Sequence, residues 1–242
     1  MANFVLVHGA WHGGWCYRDT ARALRAAGHN VFTPTHTGVG ASAHHSSADI
    51  TLDTHIRDVC GVLEAEELDN VILCGHSYGG MVITGVADRL PDRISAMVYL
   101  DAFLPGDGDS LIGLIKTALP PEVAAGFIGA FRGSSVDGGR MAPIPAEAFN
   151  IKPENRAWVD RRCVPQALAT FEMPLLLKNP AGHPSARRVY ILADGWDPSP
   201  FRHFATRCEG MTGWHVVKLP CSHDVMVDMP GELAAELLKL AA

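Results

Sequence analysis

A short apolar run, Val71-Ile72-Leu73-Cys74, leads straight into Gly75-His76-Ser77-Tyr78-Gly79-Gly80, which sets a serine at the centre of G-x-S-x-G. This constrains the chain more than any other feature, because a serine on a sharp strand-to-helix turn adopts a strained backbone that only small flanking residues tolerate. Gly75 and Gly79 supply that room. The same pentapeptide also occurs by chance in loops. Here, however, a periodic stretch follows, with Met81, Val82, Val86 and Ala87 available for an inward face. Strand, turn and helix agree, and together they point to a nucleophilic serine.

The rest of the chain alternates in the same way. Phe4-Val5-Leu6-Val7 is a continuous apolar run ending at His8-Gly9, as expected for a parallel strand buried on both faces. Residues 17–27 read as helix, Val31-Phe32-Thr33 as strand, and Thr51 to about Glu67 as helix, with Ile56, Val59, Val62 and Leu63 inward. Ile94–Leu100, Val189–Ala193 and His215–Leu219 are further strand-like runs, and helices fit near 201–208 and 231–241. Such alternation implies an α/β fold with a doubly wound, mainly parallel sheet of about six strands. From about residue 103 to about 187 the pattern breaks into Pro- and Gly-rich sequence that still carries Phe127, Phe131, Met141, Phe149, Trp158 and Phe171. Roughly eighty residues are too many for a plain loop, so a helical cap inserted into a single domain over 1–242 is expected; the alternative is a surface excursion with a satellite core.

Charge narrows the partners. Twenty-six acidic and 20 basic side chains leave a net charge of −6, without a basic cluster to attract a phosphate backbone, so nucleic acid is not expected. The N-terminus enters an apolar strand directly, with neither a basic leader nor a long apolar run, and a cytoplasmic protein without a membrane span is the expectation. Six cysteines without C-x-x-C spacing read as buried thiols rather than a disulfide frame.

A serine hydroxyl attacks only when a base takes its proton, and that base needs a carboxylate to orient it. Of twelve histidines, His203, His215 and His223 lie in the last strand-helix units. His223, in Leu219-Pro220-Cys221-Ser222-His223-Asp224, follows a strand and precedes the final helix, which is where the base is expected. His29 reads as a turn residue, His44 and His45 as solvated loop, His55 as a helix residue and His76 as part of the turn. The adjacent pair His44-His45 lacks the spaced partners of a metal site, and no metal is expected. Asp101 and Asp197 each follow a strand, so either can supply the acid. Donors for a developing oxyanion are the backbone N–H of Tyr78 and one from the loop after the first strand.

The stretch Phe4 to Trp15, with its His8-Gly9-Ala10-Trp11-His12-Gly13-Gly14 core, together with Ala27-Gly28-His29 and Cys74 to Gly80, resembles the α/β-hydrolase branch of plant methyl esterases and hydroxynitrile lyases. The resemblance spans nearly the whole chain and is weakest in the cap. It implies the α/β-hydrolase fold, a Ser77-His223-Asp triad, Ala10 as the second oxyanion donor, no cofactor, and a small-molecule ester as substrate. Bacterial esterases of this branch that act on carbendazim-like aryl methyl carbamates are similar in their opening and length. In the methyl-esterase branch the acid usually sits where Asp197 stands; the wider superfamily also uses the Asp101 position. An Asp-Ala-Phe there, as in Asp101-Ala102-Phe103, favours Asp101 with Asp197 as the alternative. Trp15, Cys16, Phe103 and Trp158 are candidates for the pocket wall, a packed aromatic and a buried thiol being the plain reading of Trp15 and Cys16. A hydroxynitrile lyase of this branch also needs a threonine and a lysine where Gly9 and Asp224 stand, so a lyase is disfavoured. A ligand receptor keeping the fold without turnover is the third reading.

Overall fold

The structure, a computed structural model, describes residues 1–179 and 186–241. Its first half runs β1 (Asn3–Val7), α1 (Arg18–Ala26), β2 (Asn30–Phe32), α2 (Leu52–Ala65), β3 (Val71–His76), α3 (Gly79–Arg89) and β4 (Ile94–Leu100). The middle holds α4 (Leu111–Ala118), α5 (Pro121–Gly133), β5 (Arg140–Met141), α6 (Pro153–Asp160), β6 (Gln166–Ala167) and α7 (Ala169–Glu172). The chain closes with β7 (Arg187–Ala193), α8 (Phe201–Glu209), β8 (Trp214–Leu219), α9 (Val225–Asp228) and α10 (Pro230–Leu238).

Six strands form one sheet in the order β2-β1-β3-β4-β7-β8, every pairing parallel. The doubly wound, mainly parallel sheet expected from the apolar runs is therefore present. Its central strands are buried along their length: Phe4 to Val7 and Val71 to His76 are all buried, which is why these runs are apolar without alternation. Helix starts follow local chemistry. Thr51 caps α2 reciprocally with Thr54, and the Ser110 hydroxyl accepts the Gly113 N–H at the start of α4.

The last helix expected from about 231 is present as α10, and a separate turn of helix not expected from the sequence, α9, precedes it. Met229 leaves the helical conformation (φ −139°, ψ 53°) and Pro230, which has no N–H to donate, starts α10 afresh. Among the described residues no helix is long and apolar enough to cross a membrane. Among the described residues, the long excursion after β4 carries four α-helices, a 3-10 turn (Ala146–Phe149) and a two-stranded ribbon, β5 with β6, before the sheet resumes at β7. Residues 180–185 of that excursion lie outside the described residues.

Candidate active site

β1 and β3 are neighbours in the sheet, yet the chain leaves β1 toward β2 on one side and β3 toward β4 on the other. A crevice opens where the winding reverses, beyond the carboxyl ends of the strands. Two loops meet there. One, after β1, carries Ala10, and the other, after β3, carries Ser77.

Ser77 sits with φ +54°, a left-handed conformation that costs a non-glycine residue roughly 1–3 kcal/mol. The surroundings enforce it. The Ser77 N–H donates to Leu100 O at 3.2 Å, and the Ser77 carbonyl accepts the Phe103 N–H at 3.2 Å. A Cβ on Gly75 would lie 2.5 Å from Gly79 O, and one on Gly79 would lie 2.8 Å from Val7 O, so the turn closes only with glycine at both places.

His223, on the loop after β8, has Nδ1 2.7 Å from Asp101 Oδ2. Asp101 is fully buried at the end of β4, and its carboxylate also accepts the Trp196 indole N–H at 2.9 Å and the Ala193 N–H at 3.1 Å. The His223 backbone is held from both sides, its N–H by Phe149 O at 3.2 Å and its carbonyl by His76 Nε2–H at 3.0 Å, while Phe201 stacks on the ring at 5.0 Å. With Nδ1 engaged, Nε2 is the nitrogen left to accept a proton. Burial lowers the His223 pKa to about 4 and raises that of Asp101 to about 7, the latter against the hydrogen bonds from Trp196 and Ala193. Asp197 lies elsewhere. Its side chain is 75% exposed and faces Arg202 Nε at 3.3 Å. His203 packs edge-on against Phe204 on α8, and His215 is exposed on β8.

Ser77, Tyr78, Ala10 and His223 line one cavity of about 450 Å³ including its mouth, and its remaining walls are almost wholly apolar. Phe103 is among them, as expected, but Trp15, Cys16 and Trp158 are not. Trp15 stacks instead on His12 at 5.1 Å, and Trp158 meets Trp15 edge-on at 4.9 Å beneath the guanidinium groups of Arg18 and Arg162. Cys16 is packed away from solvent, which pushes its thiol pKa up and keeps it neutral. The wall comes from the excursion after β4, through Phe131 on α5 and Phe171 on α7, and from Phe149, Trp196 and Phe201 around His223. The two indoles pack against each other rather than lining the cavity, and the Cys16 thiol is buried in the core, which is the plain reading of a packed aromatic and a buried thiol.

The loop after β1 is pinned at several peptides. His8 Nδ1–H donates to Gly9 O at 2.8 Å. Because the Gly9 carbonyl and the Ala10 N–H share one planar trans peptide, that bond also sets the direction of the Ala10 N–H. Trp11, with φ +64°, donates its N–H to Gln166 Oε1 at 2.8 Å and accepts the Val164 N–H at 3.1 Å. Tyr78 is anchored at its far end: His55 Nε2–H donates to Thr37 O at 3.0 Å, so its Nδ1 accepts the Tyr78 hydroxyl at 2.9 Å. Among the described residues one group could offer a metal three ligands, His76, His223 and Asp224, with ligating atoms within 4.8 Å of one another. Hydrogen bonds account for that packing, because His76 Nε2 is committed to the His223 carbonyl and Asp224 to His12.

Residues 4–236 match the model of the alpha/beta hydrolase family. The chain belongs to that family. A carbendazim hydrolyzing esterase from Nocardioides sp. (strain SG-4G) is 68% identical to this hydrolase over 242 residues, covering 99% of this chain and 100% of that protein. Methylesterase 10 of Arabidopsis thaliana is 28% identical, covering 100% of this chain and 92% of its own. A solved pyrethroid hydrolase from Sphingobium faniae JZ-2 superposes with a TM-score of 0.78 at 26% identity, over 99% of this chain and 97% of that one. The sheet and crevice of this hydrolase are those of the α/β-hydrolase fold.

Sequence reasoning missed Trp196 as a donor to Asp101, the aromatic wall from α5 and α7, and the contact between His12 and Asp224. Trp196 carried a usable signal. A tryptophan in a turn beside a strand end needs an acceptor for its indole N–H when buried, and the nearest strand ends hold aspartates.

Proposed function

We propose that this ester hydrolase cleaves compact aromatic esters and aryl methyl carbamates through an acyl-enzyme on Ser77. The observation that carries the reading is a cavity with largely apolar, aromatic walls that is lined by Ser77 and by a His223 already bound to a buried carboxylate. Ser77 Oγ attacks the substrate carbonyl while His223 Nε2 takes its proton, and Asp101 stabilises the imidazolium that forms. Negative charge develops on the carbonyl oxygen between the Ala10 and Tyr78 N–H groups. Collapse expels the alcohol, to which His223 returns the proton, and water then attacks the acyl-enzyme by the same route. The excursion over residues 103–187 serves as the cap that closes the aromatic wall.

A methyl carbamate on an aromatic ring nitrogen suits these walls, and the Nocardioides relative carries carbendazim in its name. Its hydrolysis releases methanol and a carbamic acid, which loses carbon dioxide to leave the arylamine. Incubation with benzimidazole methyl carbamate is expected to yield methanol and amine in equal amounts. Across p-nitrophenyl esters, kcat/KM should fall by about tenfold or more from acetyl to decanoyl, since a closed pocket rejects long chains. A flat chain-length series would overturn the closed pocket, and an untouched carbamate would restrict the enzyme to esters.

Two positions argue against the lyase. A Cβ on Gly9 would lie 2.8 Å from His76 Nδ1 and 3.0 Å from Ser77 Cβ, which leaves no room for the threonine that a lyase needs there. Asp224, where the lyase lysine would stand, is an acid whose carboxylate is tied to His12 at 2.9 Å.

The pH profile follows from the His223–Asp101 pair, which is active when it carries no added proton. As pH falls the pair binds one, so kcat/KM should drop on the acid side through a single apparent pKa belonging to the pair, between about 4 and about 7. Trp196→Phe removes a donor that favours the carboxylate. A hydrogen bond to a charged group contributes roughly 1.5 kcal/mol, so the acid limb should move up by about one pH unit. An unmoved limb would mean that Trp196 does not act on Asp101.

A further inference from the structure

We propose that His12 and Asp224 form an imidazolium–carboxylate clasp that holds the first oxyanion donor in register with the general base, which makes both of them positioning residues. The inference rests on the reading of Ser77, His223 and Ala10 given above. Its basis is a chain of contacts between two loops far apart in sequence. His12 Nδ1 is 2.7 Å from Ala10 O, and since a carbonyl only accepts, that nitrogen carries a proton. His12 Nε2 is 2.9 Å from Asp224 Oδ2. Asp224 directly follows His223, and its carbonyl accepts the Val227 and Asp228 N–H groups, so the carboxylate is rigid with respect to the base. One ring thus spans the residue proposed as oxyanion donor and the residue next to the proposed base.

Both partners are buried, which opposes charge on either, and the contact between them offsets that cost. His76 Nε2 faces the second Asp224 oxygen at 3.8 Å, and Cys163 Sγ lies 3.8 Å from His12 Nδ1. Cys16, His223, His8 and Tyr17 are further titratable groups close by. Asp224 and Cys163 raise the His12 pKa well above the usual histidine range in spite of burial, and His12 keeps the Asp224 carboxyl well below its own. Trp15 stacks over the imidazolium at 5.1 Å, which explains why that indole is turned away from the pocket. His12 is not among the residues lining the cavity; it fixes the Ala10–Trp11 peptide, joined through the Ala10 Cα to the Gly9–Ala10 peptide whose N–H matters only as the oxyanion forms.

Kinetics per active site separate positioning from simple stability. Active sites of His12→Gln, Asp224→Asn and the double variant are counted by titration with a serine-directed phosphonate, and kcat is expressed per labelled site. Each single variant should lose about tenfold to a hundredfold in kcat with KM within about twofold, because a misdirected oxyanion donor weakens the transition state and not substrate binding. The double variant should lose no more than the worse single one, since both changes break the same clasp. An unchanged kcat per labelled site, or losses that multiply in the double variant, would overturn the clasp. If the variants do not fold, ¹⁵N spectra of the wild-type histidines decide: His12 should show both ring nitrogens protonated from pH 6 to 8, and a neutral His12 would reject the proposal. Failure of the phosphonate to label Ser77 of the wild type would instead overturn the nucleophile, a result independent of His12.

Discussion

Replacing Ser77 with alanine is expected to abolish turnover, by about 10⁵ to 10⁶ in kcat, while the protein keeps its fold. Loss of the attacking oxygen removes the covalent route altogether; oxyanion donors and substrate binding alone support only about 10³ to 10⁴ over water. Stability should change little, because alanine retains the Cβ and the backbone contacts that hold the positive φ are made by Leu100, Phe103 and the flanking glycines. Turnover of an activated ester by purified Ser77→Ala, checked against its melting curve, is the measurement. Retention of more than about a thousandth of the wild-type kcat would contradict a serine nucleophile.

The second large effect separates the two aspartates. Asp101→Asn is expected to cost on the order of 10⁴ in kcat. Ala193 donates to Oδ1, while Trp196 and His223 Nδ1 both meet Oδ2, so an asparagine that keeps its oxygen on the Ala193 N–H would turn its NH₂ toward Trp196 and His223 Nδ1. That nitrogen would then have to accept, leaving the proton on Nε2, where it blocks removal of the serine proton. Asp197→Asn should change kcat by less than about threefold, since its exposed carboxylate meets only a surface arginine. The opposite ranking, with both variants folded by circular dichroism, would move the acid to the later strand.

The choice between those residues shows where a sequence stops being informative. Each aspartate follows a parallel strand near a turn, and only the resemblance of Asp101-Ala102-Phe103 favoured the first. Their difference is tertiary: Asp101 is fully buried among three donors, whereas Asp197 extends toward solvent. The serine turn was legible because strain limits its neighbours to glycine, and the sheet was legible because doubly buried strands must be continuously apolar. Pocket walls were only partly legible. Phe103 follows β4 directly into the crevice, but Phe131 and Phe171 ride on helices whose phase cannot be read through the prolines and glycines between them. His12 escaped notice for the opposite reason, since its motif was visible and its partner lay at the far end of the chain.

The grip on Trp11 has an evolutionary consequence. Gln166 and Val164, both in the stretch that supplies much of the pocket wall, hold the N–H and the carbonyl of the residue immediately after Ala10. Selectivity and charge stabilisation are therefore welded together rather than built as interchangeable modules. A grafted lid from another member of the family would import new walls and at the same time loosen the peptide next to the proposed oxyanion donor. Point changes at Phe131 or Phe171, which leave that grip intact, offer the smoother path to new substrates.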